Sequence, residues 1–416
     1  MSNPIQVTVS DPLQAIAYLR STQTIREHCG QIARRLAEKK SDYFLYHPDK
    51  WPAICDAVLA ITRVNYPDLK VPLHSRWRHF NAGGIDRLKV FTEDLRNLSI
   101  LEKARIQCEM VILSVLLDAG AGDQWRYRET GTEAFYQRSE GLALASFNLY
   151  KNGLFSLDPG RKFFADGERL QQLSVEDLGQ ALQVSDTNPL AGLAGRCALV
   201  NRLGSVIANA PQFFHEKRLG NFFNYLYKKA SEKKFVLAGE EILSAVLLAF
   251  SEIWPAGLYI DSTNLGDVGR HQHVRGKFGT DGLVPFHKLS QWLSYSLVEP
   301  LQEAGVTVSK LDSLTGLAEY RNGGLFLDGG LISLKEPSLA KVAHAPQSEL
   351  ITEWRALTLH FLDQVAEKIR VMLQQAELPL GNILQGGTWA AGRKLAFEMR
   401  KDGAPPLQIL SDGTVF

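Results

Sequence analysis

Apolar positions along this chain recur mostly at three- and four-residue steps, the period of an amphipathic helix. Asp11-Pro12 is a helix start, with a capping side chain followed by proline at the first helical position. Trp51–Arg63 reads as a helix closed by Asn65-Tyr66-Pro67. Ser99-Ile100-Leu101-Glu102 is a capping box. It opens a helix in which Cys108, Val111, Ile112, Val115 and Leu116 form one face, ending at the small residues after Asp118. The same periodicity predicts helices near 174–184, 189–208, 212–230, 240–253, 286–304, 350–376 and 388–401.

Strand signals are few. Leu325–Leu327, Asp328-Gly329-Gly330 and Leu331–Leu334 read as a hairpin with a glycine turn. Leu154–Leu157, Asp158-Pro159-Gly160 and Lys162–Ala165 read as a second. The first is preceded by Tyr320-Arg321-Asn322-Gly323 and the second by Tyr150-Lys151-Asn152-Gly153. That shared pattern suggests an internal duplication, although turn chemistry alone supplies part of it. The expected fold is mainly α with a few short β-hairpins. It is either one large domain over 1–416 or two closely packed halves, about 1–185 and 186–416.

Composition narrows the function classes. The 416 residues carry 46 Lys+Arg against 45 Asp+Glu, a net charge of +1. This balance argues against a protein that holds nucleic acid mainly through phosphates, and leaves room for a small local basic pocket. No apolar run reaches the ~18–20 residues of a membrane span, and the N-terminal residues lack the basic start and apolar core of a secretory signal. The four cysteines, Cys29, Cys55, Cys108 and Cys197, are far apart and lie in helical stretches, as buried thiols do. A cytoplasmic protein without a membrane partner is expected. Neither GxGxxG nor GxxxxGK[ST] follows a strand, which argues against a dinucleotide or P-loop site. No GxSxG elbow supports a serine nucleophile.

The candidate chemistry sits between the helices. His74–Gly84 holds Arg76, Trp77, Arg78 and His79 before a glycine pair, a set suited to a sugar-like or anionic ligand. Trp125–Tyr127 leads through Glu129 to Arg138-Ser139-Glu140, where a carboxylate at the edge of an apolar run is either paired with Arg138 or raised in pKa. Tyr259–Asp267 supplies Asp261 and Asp267 and leads to His271-Gln272-His273. A His-x-His can offer two metal ligands, but the segment is polar and Gly-rich and no third ligand is recognisable, so no metal or other cofactor is expected. Glu319-Tyr320-Arg321 precedes a glycine pair and runs on to Asp328. Gln385–Arg393 places Gly386-Gly387 before Thr388 as a helix start that could seat an anion, with Trp389 and Arg393 beyond. Carboxylates, arginines and aromatics together suit cleavage at a sugar carbon, where an oxocarbenium-like transition state needs a nearby anion and a carboxylate activates water.

The segments RWRHFNAGGIDR (76–87), LLDAGAG (116–122), RSEGLALASF (138–147), EYRNGGLFLDGG (319–330) and GGTWAAGRKLAFEMR (386–400) resemble the uncharacterised-domain family that includes the fungal uracil-catabolism protein four. The resemblance spans residues 10 to 410. It implies a step of pyrimidine degradation, the breakdown of a ribosylurea-type intermediate to urea and ribose. Leu314–Arg321 is also similar to a segment of the queuosine-nucleotide salvage hydrolases. Those proteins cleave a base from ribose phosphate on a helical, DNA-glycosylase-like fold, and they usually have Asp where this chain has Glu319.

The leading expectation is therefore a helical N-ribosidic hydrolase acting on a urea-bearing, 5-phosphorylated ribose. Glu319, Asp261 and Asp267 are the catalytic candidates. Arg76, Trp77, His79, Arg138, Glu140, Arg321, Asp328, Arg355, Trp389 and Arg393 are the substrate-binding candidates. The loops 74–84, 261–273, 319–328 and 386–393 are expected to converge. A non-catalytic binding protein of the same pathway, and a metal-dependent amidohydrolase using His271, His273 and Asp267, are the alternatives. A homodimer is the assembly considered.

Overall fold

The computed structural model describes residues 5–118, 120–132, 134–254 and 257–410. Met1–Pro4 of the segment read for a leader, and Ala119 of the small-residue stop after Asp118, lie outside them. The chain is mainly α. Its longer helices are α1 (Pro12–Leu19), α2 (Thr22–Ala37), α3 (Trp51–Asn65), α4 (Arg87–Asp94), α5 (Ile100–Leu116), α6 (Arg138–Lys151), α7 (Leu193–Asn209), α8 (Asn221–Ser231), α9 (Gly239–Phe250), α10 (Lys288–Glu303), α11 (Tyr320–Asp328), α12 (Glu349–Leu373) and α13 (Trp389–Met399). The strands are two or three residues long and form sheets of two or three strands. Among the described residues no helix is long and apolar enough to cross a membrane.

The helix starts follow local capping chemistry. The Asp11 carboxylate accepts from the Gln14 N–H at 3.0 Å, and Ser99 accepts from the Glu102 N–H at 3.2 Å. Each satisfies one of the orphan donors of a first turn. Both expected hairpins are overturned. Residues 320–328 are helix α11, and Ile332–Leu334 pairs antiparallel with the distant Phe44–Tyr46. Leu154–Ala165 holds turns with no strand. Glu319 caps α11 and commits the following residues to helix, which the apolar-turn-apolar pattern did not show. The shared Tyr-Asn-Gly signal ends α6 in one copy and begins α11 in the other, so it marks no structural duplication.

The chain falls into two compact units, neither continuous in sequence. The first holds residues 5–74, 257–291 and 310–410 of those described. The second holds the described residues of 75–254 and 292–309. Within the first unit, α2 packs on α12, and α11 packs on both α12 and α13. Ala15, Leu19, Leu258, Ile260, Leu265, Val268 and Leu283 close one core around the short strands. Tyr46, Trp51 and Phe326 gather around Phe361, with ring centroids 5.3–5.8 Å from it.

In the second unit, α5 is buried along most of its length and packs on α6, α7 and α8. Its fully buried Glu109 accepts from the Tyr150 hydroxyl at 2.5 Å, Arg218 Nε at 2.6 Å and the Gly220 N–H at 3.0 Å. A buried charge is tolerable only when its oxygens are met in this way. All four cysteines are buried and unbridged, and burial pushes each thiol above its usual range.

α13 approaches α11 closely at Gly392, where a Cβ would lie 2.0 Å from the Arg321 carbonyl oxygen. Gly30 of α2 has nothing within 4 Å of its would-be Cβ. Gly392→Ala is expected to destabilise the protein by about 1–3 kcal/mol through overpacking. Gly30→Ala should stabilise it by roughly 0.5–1 kcal/mol through helix propensity and the unfolded chain. Thermal unfolding of the two variants checks the pair; a Gly392→Ala protein as stable as the parent would refute the close approach.

Candidate active site

Glu319 occupies the N-cap position of α11, a place where Ser, Thr, Asp and Asn are the usual residues. Its two carboxylate oxygens accept from the backbone N–H groups of Asn322 at 2.6 Å and Arg321 at 2.8 Å. Burial pushes its carboxyl above the usual range. The two N–H groups and the charges of Arg321 and Lys288 act against that rise without cancelling it.

Asp267 behaves in the opposite way. Burial acts to raise its pKa, but the Arg355 guanidinium overrides this and holds it below the usual range. Arg355 binds both oxygens, at 2.8 and 2.7 Å, and the Lys288 backbone N–H adds a third bond at 2.9 Å. Arg355 lies over the Phe286 ring at 4.1 Å and donates through Nε to the Ala318 carbonyl at 3.3 Å. One guanidinium thus links Asp267 to the residue that precedes Glu319. Lys288 serves both carboxylates, as a backbone donor to one and a nearby charge to the other.

Arg321 follows Glu319 and is buried against two rings, 5.1 Å from the Tyr320 centroid and 5.2 Å from that of Trp389. Its Nη1 meets no hydrogen-bond acceptor. Arg393 stacks on the same Trp389 ring at 5.4 Å, so this partly exposed tryptophan carries two guanidinium groups. Residues 319–321 and 389–393 are therefore brought together, and Arg355 joins Asp267 to the segment preceding Glu319.

Other expectations are corrected. Asp261 is exposed at the tip of the 258–264 hairpin with φ +51°, and its backbone carbonyl accepts from Gln6. That position provides none of the burial an acid–base carboxylate uses. Asp328 is held by Arg400 through two bonds of 2.8 and 2.5 Å, an ion pair that ties the end of α11 to the end of α13. Gly386-Gly387 does not precede a free helix end. Leu380–Ile383, a π-helical turn at Leu384–Thr388 and α13 run on from one another. At Gly387 a Cβ would stand 2.6 Å from the Val58 carbonyl oxygen, so the glycine serves packing against α3. Thr388 donates to the Asn322 side chain at 2.9 Å and joins this turn to α11.

His271 is buried, not in an open loop. Its Nε2 pairs with Glu353 at 3.0 Å, and His273 pairs with Asp42 at 3.1 Å. Asp267 is held by Arg355, so the metal set His271, His273 and Asp267 does not form. Glu353 and Asp42, from α12 and from the loop after α2, escaped the reading of the sequence because no local spacing links them to the histidines.

The remaining candidates lie in the second unit. Arg76 is fully buried. It donates to Asp118 at 2.8 Å, Ser114 at 2.7 Å and Ser139 at 3.0 Å, and it feels the Glu140 charge. Trp77 is buried with its indole N–H on the Ser296 carbonyl at 2.8 Å, and His79 meets the Trp292 ring edge-on at 5.8 Å. Arg138 opens α6 at φ +54°. Of the expected loops, 74–84 apart from His74 therefore belongs to a different unit from 261–273, 319–328 and 386–393.

Residues 18–416 match the family described as a protein of unknown function, DUF1688. The chain belongs to the DUF1688 family. It is 35% identical to "Protein urg3" of Schizosaccharomyces pombe over 413 residues, covering 97% of this chain and 99% of that protein. It is 34% identical to "Uracil catabolism protein 4" of Lachancea kluyveri over 444 residues, covering 99% of this chain and all of that protein.

Within this member of the DUF1688 family the Asp267–Arg355 pair also sets a pH dependence. A carboxylate whose folded pKa is depressed contributes stability above its unfolded pKa of ~3.9 and loses it as pH falls through the folded value. Asp267→Asn should cost about 3 kcal/mol or more at neutral pH, because a buried guanidinium loses its counter-charge. The deficit should begin to shrink as pH falls below about 4 and should vanish only below the lower folded value, where the parent also takes up its proton. Urea unfolding of both proteins at neutral and acid pH checks this; a deficit that stays constant with pH would contradict the assignment.

Proposed function

We propose that this protein acts in uracil catabolism as a hydrolase of the N-ribosidic bond in a ribosylurea-type, 5-phosphorylated intermediate. The observation that carries the reading is the pair of carboxylates with opposed electrostatics. Glu319 is pushed toward the neutral form and Asp267 is held as the anion. Environments that separate two carboxyl pKa values assign acid–base and charge-stabilising roles. The name of the Lachancea kluyveri relative, uracil catabolism protein 4, supports the pathway.

In this reading the bond from the sugar C1 to the urea nitrogen breaks with its electron pair leaving on nitrogen. Water adds its hydroxyl to C1, and a proton reaches the departing urea. Glu319, whose ionised form is a stronger base because burial raises its pKa, takes the proton from the attacking water and passes it to the departing urea nitrogen. Asp267, kept charged by Arg355, favours positive charge developing at the sugar. Arg321, with an unpartnered donor, and Arg393 flank Trp389, where a ring face and two guanidinium groups suit a sugar phosphate. A purely structural role for Glu319 as a helix cap makes a different prediction, and the same variant separates the two.

The purified protein is expected to release urea from ribosylurea 5-phosphate, or from ribosylurea itself. Glu319→Gln should lower turnover roughly 10²-fold or more, the scale of a lost acid–base group. Glutamine keeps one acceptor for the two capping N–H groups, so stability should fall by only about 1 kcal/mol. Urea assay and thermal unfolding of the same samples give the answer. Absence of urea from both substrates would refute the activity, and near-normal turnover in Glu319→Gln would refute its role.

A further inference from the structure

The strand Val268–Arg270 is tied to α12 at both ends. Asp267, just before it, meets Arg355, and His271, just after it, meets Glu353. The first link belongs to the carboxylate pair described above. The second has a different chemistry.

His271 lies between two acids of α12. Its Nε2 is 3.0 Å from Glu353 Oε2, and its Nδ1 is 3.9 Å from Glu349 Oε1. The other Glu353 oxygen accepts from the Ser41 hydroxyl. Next to Ser41, Asp42 approaches from outside and holds His273 Nε2 at 3.1 Å. Ligand atoms of Asp42, His271 and Glu353 all lie within 4.8 Å of one another. Arg35, 3.9 Å from Asp42, and Lys335, whose ammonium donates to the Ser41 carbonyl, are cations nearby.

We propose that Asp42, His271 and Glu353 form a site for one divalent first-row transition cation, such as zinc or manganese. One imidazole and two carboxylates are a borderline donor set that suits these ions better than calcium or magnesium. Bonds of about 2.0–2.2 Å place neighbouring ligand atoms about 3–3.6 Å apart, so the three atoms reach such a geometry by small side-chain movements. The second carboxylate is what a plain structural histidine does not need. Nδ1 now accepts the His273 backbone N–H at 3.4 Å; with Nε2 on the cation the ring proton moves to Nδ1, on the side where Glu349 lies 3.9 Å away and can close in as the outer partner of a ligating imidazole. Ser41 steadies Glu353 in the same way. The cation would clamp the loop after Val268–Arg270 onto α12, two residues from Arg355. This inference does not rest on the hydrolase reading.

The test is equilibrium dialysis of the full-length protein, cleared of metal by a chelator, against zinc or manganese chloride. About one cation per chain is expected, with a rise in melting temperature when it binds. Glu353→Gln should weaken binding at least tenfold, the scale seen when a metal site loses even an outer partner. Because Glu353 is buried, Asp42→Asn provides a second variant at an exposed position. It should also weaken binding tenfold or more while leaving the melting temperature of the metal-free protein unchanged. No stoichiometric binding of either cation, or binding retained at full strength in both variants, would overturn the proposal.

Discussion

The arrangement of the candidate site depends on one guanidinium. Arg355 projects from the buried helix α12, and a charge there is stable only with its donors answered. Asp267 answers two of them and the Ala318 carbonyl a third, while Phe286 covers the flat face. Those bonds fix the start of the Val268–Arg270 strand and the approach to α11 together. The same guanidinium depresses the Asp267 carboxyl and holds Ala318, the residue just before Glu319, whose own carboxyl is raised by burial.

Close backbone approach does the rest. Gly392 lets α13 press on the first turn of α11, and Gly387 lets the preceding π-helical turn press on α3. Trp389 is thereby carried to Arg321, Arg393 meets the same ring from one turn along α13, and Thr388 is placed to bond Asn322. A π-helical turn inside a helical run is often found beside functional groups, because it offsets the side chains that follow. The glycines of the 386–400 motif serve helix packing, and its tryptophan meets Arg321 at the α11 start.

Helical elements were legible because a three-to-four step of apolar residues and a capping side chain are local signals. Asp11 and Ser99 cap the helices expected of them. The hairpins at 154–165 and 325–334 failed for the converse reason. A short apolar run flanked by Asp-Gly is compatible with a turn or a helix end, and the pairing partner decides. Ile332–Leu334 found its partner in Phe44–Tyr46, nearly three hundred positions away. Among the candidates that the structure gathers, Glu319, Arg321, Trp389 and Asp267 were named from residue type in Gly-bearing segments, and Arg355 from residue type alone. Asp42, Glu353 and Lys288 were missed because their relevance lies in contacts between distant segments.

The sequence by itself determined a charge-balanced, mainly helical chain, its helix starts, and a family signature spread over nearly its full length. Those properties rest on local periodicity and residue type. Only the tertiary structure decided which carboxylates are buried and by whom they are answered. Asp261 and Asp267 are six residues apart in similar polar sequence, yet one is exposed on a turn and the other is locked to Arg355. Burial and pairing are long-range properties, set by which helix arrives opposite a loop, and they are what turn a carboxyl group into a proton carrier, a fixed anion or a ligand.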